Sequence, residues 1–342
     1  MKKLTIEDVA QKAGVSKSTV SQFLNKRYNY MSEATKKRIE DVIEELNYQP
    51  NALARSLKNN RTHMIGVIVA NIDYTISIQC IRAIESELQT HGIQVIICNA
   101  DENPKKESKY IEMLVARQVD GLIIFPTGNN AVAYTRLISE NFPMVFLDRL
   151  VEQVTTHSLL LDNEMAVNIG IQELVHHHHQ KIALITLPYE THRITPRLER
   201  LSGYKKAMEE CNLKIRDEYI KSVPKEDIQT TMEKLLRMQD PPTAIVAGND
   251  IVLAEMLKYA SSHHIRIPDD ISVMGIDDAD FAHIYNPNIT TIGQPTYDMG
   301  KQAARILLQC IEDKGTAVPI IYRFVPQLNK GKSVKTIGRD SK

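Results

Sequence analysis

Thr5-Ile-Glu-Asp-Val-Ala-Gln-Lys-Ala-Gly14-Val-Ser16-Lys-Ser-Thr-Val-Ser-Gln22 reads as two short amphipathic helices joined by a glycine turn. Ile6, Val9 and Ala10 share one face of the first helix, and Val20, Phe23 and Leu24 share one face of the second. Gly14 supplies the bend, and Ser16 is a suitable N-cap for the second helix. This is helix-turn-helix construction, in which the second helix enters the major groove and its first residues meet the base edges. On that geometry Lys17, Ser18 and Gln22 point outward. Lys favours guanine, Gln favours adenine, and Ser is permissive. The plain alternative is a helical hairpin with a polar outer face.

Charge separates along the chain. The 342 residues balance at 42 basic and 42 acidic, so nothing global points to nucleic acid. Residues 1–60 hold eleven Lys/Arg against seven Asp/Glu, leaving 31 against 35 in the remainder. A basic head on an acidic body suits a chain that presents one end to phosphate. A third helix, roughly Ser32 to Leu46, carries Ile39, Val42, Ile43 and Leu46 at helical spacing and closes the head's core. Pro50 then interrupts the helix and Asn51 can cap another. Only about eight helix-favouring residues follow, too few for a stable isolated helix, so this stretch is a linker that coils only when held.

The length calls for two or three domains. Cys80, Cys98, Cys211 and Cys310 are scattered without a CxxC pair, which favours reduced thiols over disulfides or a metal site. No apolar run approaches a membrane span and no signal-peptide core precedes the head, so a soluble cytoplasmic protein without cofactor, metal or membrane partner is expected.

From Met64 onward, strands alternate with amphipathic helices. The first series places strands at Met64–Ala70, Ile93–Cys98, Gly121–Phe125 and Met144–Leu147, with helices near Ile76–Gln89, Lys105–Arg117 and Ala131–Glu140. After Asp162, strands at Ile182–Leu187, Tyr219–Val223, Ala244–Ala247 and Ser272–Ile276 alternate with helices near Glu164–His176, Leu198–Cys211, Asp227–Met238 and Ile251–His264. The expected fold is an all-α helix-turn-helix headpiece plus an α/β body of two doubly wound parallel-sheet halves. Ligands in such sheets bind beyond the carboxyl ends of the strands, so two facing halves imply a cleft. Enzyme signatures are not found: no GxGxxG after a strand, no Walker pattern and no G-x-S-x-G, although Asp148, Asp277 and Asp278 stand at strand ends where a general base could act.

Ile6-Glu-Asp-Val-Ala-x-x-Ala-Gly-Val-Ser-x-x-Thr-Val-Ser21, followed by Asn47-Tyr-x-Pro-Asn-x-x-Ala-Arg-Ser-Leu57-Lys58, resembles the headpiece and hinge of the LacI/GalR family of bacterial transcription regulators. The similarity extends over nearly the whole chain, whose body resembles the periplasmic sugar-binding fold. It implies a headpiece at 1–48 and a hinge at 49–61. It implies one body half from 62–161 with 293–321, and another from 162–292 with 322–342. In the family the hinge folds in the operator's minor groove beside a dimer partner's hinge, and a leucine pair wedges the central base step; Leu57 matches that leucine and Lys58 its basic neighbour. The DNA-contacting candidates are Thr5, Ser16, Lys17, Ser18, Thr19, Ser21, Gln22 and Asn25, with Asn51, Ala54, Leu57 and Lys58 in the hinge. Many members carry arginine where this chain has Gln22, which implies a different operator sequence.

For the effector, the resemblance places Arg200 on the family arginine three residues before Gly203. It places Asn249 on the residue opening the helix after Ala244–Ala247, and Asp277 on the aspartate that accepts hydrogen bonds from ligand hydroxyls. Tyr74, Ser77, Thr127, Arg197 and Gln294 complete the candidate set. Asn71-Ile-Asp-Tyr74 stands where many members have Asn-Pro-Phe-Phe, so the aromatic wall is expected to be missing. Arg193, Arg197 and Arg200 lean towards an anionic ligand, although Arg193 and Arg197 read more readily as solvated surface charges. Ser21-Gln-Phe-Leu-Asn25 with Ile124-Phe-Pro-Thr-Gly-Asn129 resembles regulators of 2-keto-3-deoxygluconate use. The expectation is a homodimeric repressor of a carbohydrate or sugar-acid operon that binds near-palindromic operator DNA under effector control. A co-repressed or global catabolite regulator and a sugar-binding protein without a DNA role are the alternatives. His176-His-His-His179 at a helix end is read as a loop, since four adjacent histidines cannot face one ion.

Overall fold

The computed structural model describes residues 4–29, 31–48, 61–189, 193–313 and 318–338. The chain divides into two compact units, Met1–His63 and Met64–Lys342.

In the first unit, α1 (Ile6–Ala13), α2 (Lys17–Leu24) and α3 (Glu33–Glu45) close on Val9, Ala10, Ala13, Val20, Ile39, Val42 and Tyr48. Each helix is started by a hydroxyl cap. Thr5 forms a capping box with Asp8, Ser16 Oγ accepts from Thr19 N at 3.1 Å, and Ser32 Oγ accepts from Thr35 N at 3.2 Å. Gly14 ends α1 at φ 64°, a left-handed conformation that a residue without Cβ adopts at little cost. The turn thereby sets the angle between α1 and α2.

The second unit holds two six-stranded sheets. The first contains β1 (Met64–Val69), β2 (Gln94–Asn99), β3 (Gly121–Ile124), β4 (Met144–Leu147), β5 (His157–Leu161) and β11 (Ile321–Phe324), in the order β11-β5-β4-β3-β1-β2. Its pairings are all parallel. Its helices are α4 (Thr75–Thr90), α5 (Pro104–Ala116), α6 (Ala131–Ser139) and α12 (Thr296–Glu312), the last packed on α4. The second sheet contains β6 (Ile182–Thr186), β7 (Ile220–Ser222), β8 (Ala244–Ala247), β9 (Ser272–Ile276), β10 (Thr290–Gly293) and β12 (Gln327–Asn329), in the order β12-β10-β9-β8-β6-β7. It carries α7 (Asn163–His176), α8 (Thr195–Glu210), α9 (Ile228–Leu236), α10 (Asp250–Ser262) and the short α11 (Asp280–Ile284). β12 runs antiparallel to β10, the one departure from parallel pairing among the described residues. The fully buried runs Gly121–Ile124, Met144–Leu147 and Ala244–Ala247 are typical of strands covered by helices on both faces.

Several elements lie outside the expected alternation. β5, β10, β11 and β12 are short, edge-positioned or polar-interrupted, so periodicity alone does not announce them, whereas α12 is a 17-residue helix with a regular buried face that the expected series stops short of. α8 starts at Thr195 rather than Leu198 because Pro196 fits the first turn, where a helix needs no N–H. The last crossing falls later than residue 322. Tyr322 and Phe324 pair in register with Leu159 and Leu161 at the edge of the first sheet, and the chain enters the second sheet only at Gln327. Gly203 marks a close contact of α7 and α8, since a Cβ there would lie 2.7 Å from Glu164 Cα.

The histidine run clamps the tail. His179 is buried, its Nδ1 2.9 Å from Thr243 Oγ1 and its Nε2 3.0 Å from Lys335 O, and His177 Nδ1 lies 2.8 Å from Thr336 Oγ1. Burial holds the His179 imidazole down to about 4, so it is neutral. All four cysteines are free thiols.

Candidate nucleic-acid interface and ligand cleft

The first unit presents α2 with its N-terminal turn outward. Thr5, Ser16, Lys17, Ser18, Gln22 and Asn25 are exposed, and Thr19 and Ser21 are half-buried. The hydroxyls of this turn are mutually bonded, with Ser16 Oγ 2.6 Å from Ser18 Oγ and 2.8 Å from Thr19 Oγ1. Thr5 and Ser16 therefore serve as helix caps in this structure. The Nζ of Lys17 sits 2.7 Å from Glu7 Oε1 in a surface ion pair. Asn25 Nδ2 donates to Ser21 O at 2.6 Å, fixing the end of α2. The hinge candidates Asn51, Ala54, Leu57 and Lys58 lie outside the described residues.

In the second unit, the carboxyl ends of the two sheets face a cavity of about 30 Å³. Six of the eight expected ligand residues line it: Tyr74, Arg197, Arg200, Asn249, Asp277 and Gln294. Ser77 and Thr127 do not. Ser77 Oγ donates to Asn71 O at 2.7 Å inside the first turn of α4, and Thr127 is buried with its N–H on Glu107 Oε2 at 2.8 Å. Glu107 also accepts from Asn130 and from Tyr134, which ties the Thr127 loop to α5 and α6.

Arg200 projects from α8 and is buried. Its Nε donates to Asn163 Oδ1 at 2.9 Å, its Nη1 to Gly248 O at 2.5 Å, and its Nη2 lies 3.7 Å from Asp277 Oδ1. Asp277 also accepts from Gln294 Nε2, while Gln294 Oε1 is buried with no partner among the described residues. Asn249 caps α10 through its Oδ1 on Val252 N at 3.1 Å. Asp250 bridges the halves, since Thr75 N at the start of α4 donates to its Oδ2 at 2.6 Å. Burial, then the charge of Asp277, pushes Asp250 up to about 6.

Motif matching does not mark two further residues: Arg149, which lines the opposite wall, and its partner Glu102. Arg149 grips Glu102 with Nη1 at 2.9 Å and Nη2 at 2.7 Å, and adds Pro126 O at 3.1 Å and Asp148 Oδ2 at 3.4 Å. Glu102 Oε1 also accepts from Tyr74 OH at 2.9 Å and from Arg197 Nη2, across the cleft, at 3.3 Å. Burial alone would raise Glu102, but the Arg149 guanidinium leads a set of partners that hold it near 2. Burial and then Glu102 push the Tyr74 phenol up to about 12. Burial also raises Asp148, against the pull of Arg149.

Two expectations change here. Arg197 is not a solvated charge: its Nη1 donates to Pro188 O at 2.7 Å and its Nη2 to Tyr74 OH at 3.1 Å, whereas Arg193 is exposed and, among the described residues, pairs with Glu152 at 3.2 Å. The cleft also keeps an aromatic wall, because Tyr74 lines it with the Arg149 guanidinium 5.9 Å from its ring centroid. The sequence signal that could have found Glu102 and Arg149 is positional, since each closely follows the carboxyl end of a strand.

Comparison with known proteins places both units. The profile of bacterial regulatory proteins of the lacI family matches residues 5–51, and that of the periplasmic binding protein-like domain matches residues 171–334. The chain is 46% identical to a probable HTH-type transcriptional regulator, EndR, of Paenibacillus polymyxa, over 96% of this chain and 98% of that one. It is 32% identical to the HTH-type transcriptional regulator KdgR of Bacillus subtilis (strain 168), over 91% and 92% of the two chains. Among solved structures, the Lac repressor dimer bound to operator and the anti-inducer ONPF superposes with a TM-score of 0.85 at 26% identity, covering 98% of this chain and all of that one.

Proposed function

Since the chain belongs to the lacI family of bacterial regulatory proteins, we propose that this transcription regulator represses a carbohydrate or sugar-acid catabolic operon from the cytoplasm, as a homodimer on a near-palindromic operator. Its effector binds between the two halves of the body. The observation that carries the reading is the convergence of Arg200, Asn249, Asp277 and Gln294 from one half with Tyr74 from the other in a single cavity. Guanidinium, carboxylate and amide groups together present donors and acceptors, which is what recognition of several hydroxyl groups needs. Lys17, Ser18 and Gln22 read bases, and the helix starts at Thr5 and Ser16 meet phosphate.

Control follows from linkage. An effector that releases the protein must bind the DNA-free state more tightly, and a ~100-fold preference corresponds to about 2.7 kcal/mol of coupling. The deciding experiment selects duplexes from a random pool with the full chain, then measures the selected site with and without sugars and sugar acids. A two-fold-symmetric site whose affinity changes with one of them is expected. Failure to prefer any duplex over random competitor, at moderate salt and with every ligand tried, would end the reading. The family resemblance makes Leu57 the wedge at the operator centre. Leu57→Ala should accordingly lose much more affinity for the operator than for random DNA, and equal losses would remove the wedge role.

A further inference from the structure

The charge inventory of the cleft points to its ligand. Three guanidinium groups, Arg149, Arg197 and Arg200, line the cavity and pair with three carboxylates, Glu102, Asp148 and Asp277. No arginine waits for an anion. Arg149 is held bidentately by Glu102, Arg197 reaches the same carboxylate, and Arg200 is paired with Asp277. Both terminal nitrogens of each guanidinium already face an oxygen of the protein. On the cavity wall, Gln294 Oε1 is buried without a donor among the described residues, an acceptor that a ligand hydroxyl can satisfy. A ligand carboxylate brings only acceptors and a second negative charge to this site, whereas hydroxyl groups bring donors.

The backbone adds an independent observation. Glu102, Asp148 and Asp277 all adopt left-handed φ values of 54°, 70° and 78°. Non-glycine residues adopt that region at a cost, and a cluster of them at strand ends marks side chains placed for a purpose.

We propose that Glu102 is the resident counter-ion of Arg149 and Arg197, and that it makes this cleft select uncharged polyhydroxy ligands and exclude sugar acids. The inference rests on the reading of the cleft as the effector site and narrows it to neutral carbohydrates. Glu102 acts as a specificity-determining residue: its carboxylate already satisfies the guanidinium pair that an effector carboxylate would need.

The test is thermal melting of the full chain with matched pairs at constant ionic strength, D-glucose against D-glucuronate, D-galactose against D-galacturonate, and cellobiose against cellobionate. Any neutral sugar that raises the melting temperature of the wild type should have an acid counterpart at least tenfold weaker. In Glu102→Gln one guanidinium charge loses its partner, and the acids should gain at least tenfold relative to the wild type. The double variant Glu102→Gln with Arg197→Gln should lose that gain again, which a merely structural role for Glu102 would not produce. An acid that binds the wild type as tightly as its neutral partner overturns the proposal even if the variants misfold. So does a folded Glu102→Gln protein with no gain for acids. A neutral sugar that shifts melting but leaves operator affinity unchanged would instead refute the regulatory coupling, with charge selection standing.

Discussion

Asp250 and His179 show how burial writes pH dependence into single residues. An acid whose folded value is raised, as Asp250 is from 3.8 to about 6, costs nothing below its unfolded value and its full penalty above the folded one. Stability therefore falls on this account as pH rises from 4 to 6. His179 is lowered from 6.5 to about 4, so it is stabilising as a neutral group above 6.5 and loses that contribution as pH falls towards 4. The two slopes oppose each other over the same range. Urea denaturation across pH 4 to 7.5 should show Asp250→Asn gaining on the wild type by roughly 2–3 kcal/mol as pH rises, whatever its offset from a lost hydrogen bond. A flat difference would show that the carboxylate is not held in its charged form at a cost. His179→Gln should differ most from the wild type above pH 6.5 and converge on it towards pH 4, and a constant gap would mean that the imidazole is not buried neutral.

Helix starts and helix contacts make predictions at the next scale. Ser16 caps α2 and its side chain bonds only within that turn. Ser16→Ala should cost about 1 kcal/mol, read as about fivefold faster hydrogen exchange of the α2 amides, and unchanged exchange would show that the cap is dispensable. Gly203 sits in the interior of α8, where alanine would ordinarily strengthen a helix. Here the added methyl meets the backbone of Glu164, which cannot rotate aside. Gly203→Ala should lower the melting temperature, with a cost of about 1–3 kcal/mol. A rise would mean that α7 and α8 have room to separate. The elements themselves were partly legible beforehand. Buried runs such as Gly121–Ile124 and caps such as Ser16 and Ser32 announce themselves through local chemistry. β11 does not, because its place is set by partners far away in sequence, Leu159 to Leu161.

Across the body, the halves are joined by bonds as well as by chain crossings. Thr75 N donates to Asp250, Leu150 N donates to Thr195 Oγ1 at 3.0 Å, and Arg197 meets Tyr74 and Glu102. Relative motion of the halves must break this set, which gives a ligand in the cleft something to bias. Arg197→Ala should speed amide exchange at Thr75 and Leu150 while the central strands β1 and β8 keep their protection. A uniform increase would indicate general destabilisation and no hinge. The arginines also show the limit of counting residues. Three of them in Arg193-Ile-Thr-Pro-Arg197-Leu-Glu-Arg200 favour an anion on sequence grounds, yet one is solvated and the other two already face carboxylates from Glu102 and Asp277.

Local interactions were readable from the amino-acid order alone. The helix-turn-helix, its caps, the alternating body and the polar residues at strand ends depend on neighbours within a few positions, and so did the resemblance that assigns the family. The tertiary structure alone decided which charges meet. Glu102 and Arg149 are 47 residues apart, and Arg197 reaches them from the other half. Pairing across such separations is fixed by sheet order and cleft closure, which no short pattern records, and in a buried cleft that pairing determines which charges remain for a ligand.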